Sequence, residues 1–120
     1  MATHLKILSQ NDIKSFERPP EFNGDKRKRF FYLSKWANDL VKSFRTPTNK
    51  VGFVLQFGYF KAANKFFSTT KFQRRDAEFV VTRLNVSFAT IDFKKYIRTT
   101  FERHQGIILE ALGFQKFDEQ

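Results

Sequence analysis

At 120 residues, with a formal net charge of +10 and no cysteine, the chain fits one domain and excludes a disulfide framework or a thiolate metal site. Seventeen Phe, three Tyr and one Trp supply far more apolar mass than a disordered basic tail contains. His4 and His104 are the only imidazoles and stand near opposite ends of the sequence, so no zinc-binding spacing includes them and neither a metal nor a cofactor is expected.

Residues 1–7 read as a short lead-in. Met1 to Ser15 holds no apolar block ahead of a small-residue cleavage site, and no apolar run approaches bilayer length; the expectation is a cytoplasmic protein with no membrane partner. A first helix is predicted over Leu8–Phe16, where Ser9 can cap, Asp12 sits in the first turn and Leu8 with Ile13 can form a staple. Pro19-Pro20 cannot continue it. Residues 18–29, which close on Lys26-Arg27-Lys28-Arg29, read as a basic loop or arm. Phe30 to Leu33 fits a strand, a helical turn or an extended lead-in equally. Ser34 can then cap a helix in which Trp36, Leu40, Val41 and Phe44 recur at helical spacing as an inward stripe.

Thr46-Pro47 is a cap followed by a first-turn proline, and the helix it opens is predicted from Pro47 to about Ala63. That helix is apolar around most of its circumference, as the central member of a small bundle is. Gly52 and Gly58 each cost it about 1 kcal/mol relative to Ala, which close approach by neighbouring helices would explain. Lys65 to Phe72 reads as irregular, with Phe66, Phe67 and Phe72 as the aromatics expected at the surface. Helices follow over Asp76–Leu84, ended by Asn85, and over a short stretch from Asp92 through Ile97. The last begins near Thr99 or Thr100 and stops at Gly113, with Phe114 and Phe117 folding back over its end. The sum is an all-α, compact bundle of about five to six short helices in a single domain, 1–120.

No paired carboxylates, nucleophile elbow, phosphate-cradling glycine loop or zinc-hydrolase motif is present, so no catalytic residue is expected; His104 reads as a packing or surface residue. The charge is more telling. Between Lys26 and Arg75 there are thirteen Lys or Arg and a single acid, Asp39, so this segment carries +12. Such a field repels the compact state and suits a domain that meets a polyanion. The two helices joined by Arg45-Thr46-Pro47 match a helix-turn-helix layout. Because the second helix is so apolar, only its first turn could reach DNA. Arg45, Thr48, Asn49 and Lys50 are therefore candidates for backbone clamping first and base reading second. Lys26, Arg27, Lys28 and Arg29 form the candidate arm. Lys35 and Lys42 share a helix face, and Lys61, Lys65, Lys71, Arg74 and Arg75 extend the basic series beyond it.

Phe31-Tyr32-Leu33-Ser34 and Asn49-Lys50-Val51-Gly52-Phe53-Val54-Leu55-Gln56-Phe57-Gly58-Tyr59-Phe60-Lys61 resemble the amino-terminal domain of Tn3-family transposases. The family runs roughly "F-T-L-S" and "N-R-L-G-F-A-L-Q-L-C-Y-L-R" there. Tyr96, Arg98-Thr99-Thr100, His104 and Gly113-Phe114-Gln115-Lys116-Phe117 are similar to its "Y…R-T-R…H…G-F-R-x-F" segment. Departures are Lys50 for Arg, Val51 for Leu, Gly58 for Cys or another small residue, and Asn64-Lys65-Phe66 where a Pro-Gly-Arg turn is usual. The resemblance covers most of the chain from about Leu8.

It implies a fragment of a much longer protein whose distant carboxy-terminal domain uses an acidic triad and divalent metal to cut and join strands, a DDE-type transposase. The part in hand would be a non-catalytic domain that recognises or positions the terminal inverted repeats in double-stranded DNA. The rival expectation is a structural or interaction domain that contacts other domains or copies of the transposase. That rival predicts an exposed apolar patch at Phe66, Phe67, Phe72 or Phe117.

Overall fold

The computed structural model describes residues 17–113. The helix expected at Leu8–Phe16, the lead-in before it and the fold-back of Phe114 and Phe117 lie outside the described residues. Five α-helices follow in order: α1 (Gly24–Phe30), α2 (Lys35–Ser43), α3 (Pro47–Ala63), α4 (Arg74–Leu84) and α5 (Arg98–Ala111). Single 3-10 turns at Thr69–Lys71, Phe88–Thr90 and Phe93–Lys95 link the last three, and no strand occurs among the described residues. The fold is all-α, and no helix among these residues is long and apolar enough to cross a membrane.

α3 is the hub. Thr46 Oγ1 accepts from the Asn49 N–H at 3.0 Å and Pro47 takes the first helical position, where a missing N–H costs nothing. Asn64 ends the helix in the left-handed conformation at φ 58°. Every residue from Val51 to Phe60 is buried, and α1, α2, α4 and α5 all pack on this one rod. Each large apolar side chain enclosed there contributes about 1.5–3 kcal/mol. Both α3 glycines serve close approach. A Cβ on Gly52 would overlap the Tyr96 ring, and one on Gly58 would overlap the Phe31 ring and press on the Phe30 carbonyl oxygen at 3.0 Å.

α2 and α3 are consecutive and joined by only Phe44-Arg45-Thr46, and the burial of residues 51–60 leaves only the first turn of α3 near the surface, in line with its apolar face. Two corrections are local. The basic stretch expected as a loop or arm over 18–29 is extended only as far as Asn23, and α1 starts at Gly24. Asn23 Oδ1 accepts from the Lys26 N–H at 2.8 Å, Asp25 sits in the first turn and Arg27, Lys28 and Arg29 in the last. Those charges match the helix dipole. The short helix expected from Asp92 to Ile97 is only the 3-10 turn Phe93–Lys95, capped by Asp92, and Ile97 is the extended residue before α5.

Phe66, Phe67 and Phe72 are not a surface patch. Tyr59 sits among Phe22, Phe31, Phe67 and Phe72, with ring centroids 5.5–5.9 Å apart. Phe66 stacks on Phe60 at 4.6 Å. Among the described residues the exposed aromatics are instead Tyr32, 60% accessible, and Trp36, 45%. Trp36 belongs to the stripe that the helical spacing turned inward; Ala37 and Val41 are the α2 residues that the core encloses.

Candidate nucleic-acid interface

α1 is short and buries none of its residues. Lys26, Lys28 and Arg29 are exposed along it, with the Arg29 guanidinium over the Phe30 ring at 5.1 Å. Arg27 points the other way. Its Nε donates to Asp76 Oδ1 at 2.8 Å, an ion pair whose acid is almost fully buried. Asp76 Oδ2 also accepts from the Tyr59 hydroxyl at 2.6 Å. Burial, then the hydrogen bond and charge of Asp76, raise the Tyr59 phenol well above its ordinary range. The pair docks α1 onto the start of α4, where Arg27, Arg74, Arg75 and Glu21 border a cleft of about 460 Å³. The expected arm and the Arg74-Arg75 pair therefore share one region. Arg74 is held by Glu78 at 2.9 Å and lies over the Phe88 ring; Arg75 is exposed.

A second basic region forms where α2 meets α3. Lys42 and Arg45 are exposed. Lys50 lies beside them, but its Nζ donates to the carbonyls of Val41 at 3.2 Å and Lys42 at 3.0 Å, closing the C-terminus of α2. Thr48 is buried and its hydroxyl accepts from the Asp92 N–H at 3.0 Å. Asn49 is half-buried. Of the four groups expected to clamp phosphate here, only Arg45 extends fully into solvent.

The remaining candidates are dispersed. Lys35 pairs with Asp39 at 3.1 Å, both exposed, an interaction worth a few tenths of a kcal/mol. Lys65 pairs with Glu17 at 3.0 Å, and Lys71 is half-buried in the Thr69–Lys71 turn. Lys61 donates to the Tyr32 carbonyl at 3.2 Å and lies over the Phe57 ring at 4.5 Å. Burial lowers its pKa from the usual lysine value.

The motif residues lie inside. Gln56 Nε2 donates to the Tyr96 hydroxyl at 2.8 Å and the Phe101 carbonyl at 3.3 Å, while its Oε1 accepts from Gln105 Nε2 at 3.2 Å. The amide orientation is thereby fixed, and the Tyr96 hydroxyl shares a hydrogen bond with His104 Nδ1 at 2.5 Å. His104 Nε2 is buried without a partner, and the ring lies between Phe44 and Phe53. Burial, with Arg103 nearby, pushes the His104 pKa down to about 4, and burial raises that of Tyr96. This network escaped the sequence reading, although one signal was there: a glutamine within an otherwise apolar helical run.

The described residues define a helical domain with a closed aromatic core and a basic surface. The sequence model of the family described as Domain of unknown function (DUF4158) matches residues 7–120, and the chain belongs to that family. No curated protein matches the chain and no solved structure does.

Proposed function

We propose that this is the non-catalytic, DNA-binding amino-terminal domain of a Tn3-like transposase, which recognises or positions the terminal inverted repeats in double-stranded DNA. DUF4158 is found in Tn3-family transposases, in keeping with the motif resemblance. The carrying observation is α1: a helix that buries nothing yet holds Lys26, Lys28 and Arg29 in solvent beside Arg75. Helix formation fixes the spacing of these charges, and cations held at fixed positions suit a phosphate backbone. Lys42 and Arg45 supply the second anchor across the α2–α3 junction. Arg27 and Lys50 act from within, one docking α1 and the other closing α2. Strand cutting and joining belong, on this reading, to a separate domain of the DDE type, and the domain works in the cytoplasm. For the alternative, a structural or protein-interaction domain, Phe66, Phe67 and Phe72 offer no patch because they pack against the core, and Phe117 lies outside the described residues.

The test is binding of the 120-residue chain to duplex carrying the element's terminal repeat, against scrambled duplex, across a salt series. Replacing Lys26, Lys28 and Arg29 by Ala together should weaken binding and flatten the log K against log salt slope by about 0.9 for each phosphate that is no longer neutralised. An unchanged slope would show that α1 does not face the DNA.

A further inference from the structure

Tyr32 and Trp36, the exposed aromatics among the described residues, are four positions apart and linked through Phe57 and Lys61. Trp36 packs on Phe57 with ring centroids 5.8 Å apart, and Lys61 spans the same Phe57 ring and the Tyr32 carbonyl. Tyr32 lies in the link that runs from the end of α1 to Ser34, the cap position of α2, and the Lys61 bond holds that link down. Two rings are thus presented to solvent on a braced support. Beside Tyr32 a cleft of about 210 Å³ is walled by Leu33 and Phe79, with the Asn38 amide and Arg83 at its polar positions. The Arg83 guanidinium lies over Phe79 at 5.4 Å. Drug-sized ligands need about 300–1,000 Å³, so this cleft suits a single ring system.

What covers such a face is indicated by its charge. Lys61 and Arg83 stand at this face, and Asp39, the acid of α2, is paired with Lys35, so the charge left over is positive. An apolar protein partner gains nothing from that balance, whereas a strand of nucleic acid brings both phosphates and planar rings. A duplex keeps the flat faces of its bases stacked on one another, so exposed rings can pair only with bases that are unstacked. Stacking of this kind with flanking cations is the general mode of single-strand binding. We infer that Tyr32 and Trp36 form a stacking platform for unpaired bases of a nucleic acid strand, with Lys61 bracing it and Asn38 and Arg83 available to the edge of a base in the adjoining cleft. The inference rests on the DNA-binding reading and adds the strand class that this face takes.

Trp36 is the only tryptophan of the chain, so its fluorescence reports from the site itself. The 120-residue chain is titrated with single-stranded oligothymidylate and with a duplex of equal length. Trp36 emission is followed alongside the anisotropy of end-labelled DNA. The single strand should quench Trp36 and the duplex should leave it nearly unchanged. Tyr32→Ala and Trp36→Ala should each lower single-strand affinity about 5- to 100-fold and leave duplex affinity within about 2-fold. Tyr32→Phe should restore single-strand binding. Circular dichroism checks folding, which substitutions at these exposed rings should spare.

If duplex binding persists while the single strand neither quenches Trp36 nor discriminates the alanine variants, the platform is refuted and the duplex reading stands. If neither DNA binds, both fall. An emission change that follows protein concentration instead of DNA would make this an interface between copies, and would equally overturn the inference.

Discussion

His104 sets a measurable acid limit on the fold. It is fully buried, its Nδ1 is hydrogen-bonded to the Tyr96 hydroxyl, and burial pushes its pKa down to about 4 against about 6.5 for an unperturbed histidine. The unfolded chain therefore binds a proton on this residue between pH 6.5 and 4 that the folded chain does not. Stability rises with pH wherever the unfolded state holds more protons. The His104 contribution is then complete above pH 6.5 and is lost as the pH falls toward 4. From pH 8 to pH 5 the loss is about 2 kcal/mol, and the limit below pH 4 is about 3 kcal/mol, at 1.36 kcal/mol per pKa unit. Stopping at pH 5 keeps ordinary carboxylates largely ionised. Urea unfolding at pH 8, 7, 6 and 5 gives the slope directly. His104→Asn keeps an amide oxygen for the Tyr96 hydroxyl and removes the titration, so the variant should start less stable and lose little further by pH 5. A wild-type curve parallel to that of the variant, or an imidazole signal lost in His104→Asn that titrates near 6.5 by NMR, would refute the assignment.

Two further perturbations test the packing. Gly58→Ala drives a methyl into the Phe31 ring and the Phe30 carbonyl and should cost about 1–3 kcal/mol despite the better helix former, whereas Gly106→Ala in α5, with open space around it, should gain about 0.5–1 kcal/mol; urea midpoints moving the same way for both would contradict this. Asp76→Ala strands the Tyr59 hydroxyl and the partly exposed Arg27 guanidinium and should cost about 2–3 kcal/mol, with α1 releasing from α4; equal protease susceptibility at residues 24–30 before and after would show that the pair does not hold α1.

What the sequence made legible were the features whose cause is local. Thr46-Pro47 announces the start of α3 by cap chemistry and a fixed φ, and Asn64 and Asn85 take left-handed ends at φ 58° and 59° because a short amide side chain tolerates them. The bundle class followed from the width of the apolar face on α3, and the two glycines within it mark close approach as their cost suggested. What stayed hidden depends on which neighbour arrives. Trp36 fits the inward stripe by spacing, yet the space beneath α2 is taken by Ala37, Val41 and the aromatic side of α3, so the larger ring is displaced to the rim. Thr48 and Lys50 carry the right chemistry for a phosphate at a helix start, but residue type does not say which acceptor or donor will claim them first. The Asp92 amide and the last carbonyls of α2 do so. Arg27 differs from Lys26 and Lys28 only in pointing toward Asp76, 49 positions along the chain.

The interior placement of Gly52, Gln56, Tyr96 and His104 separates two kinds of inheritance. These side chains meet one another, so altering any of them disturbs how the helices fit. Lys26, Lys28 and Arg29 project into solvent from a helix that is held to the core by Arg27 and Phe30, and their replacement leaves those two contacts in place. A lineage could therefore redraw its outer charges one at a time, shifting to new targets without first surviving a period of instability.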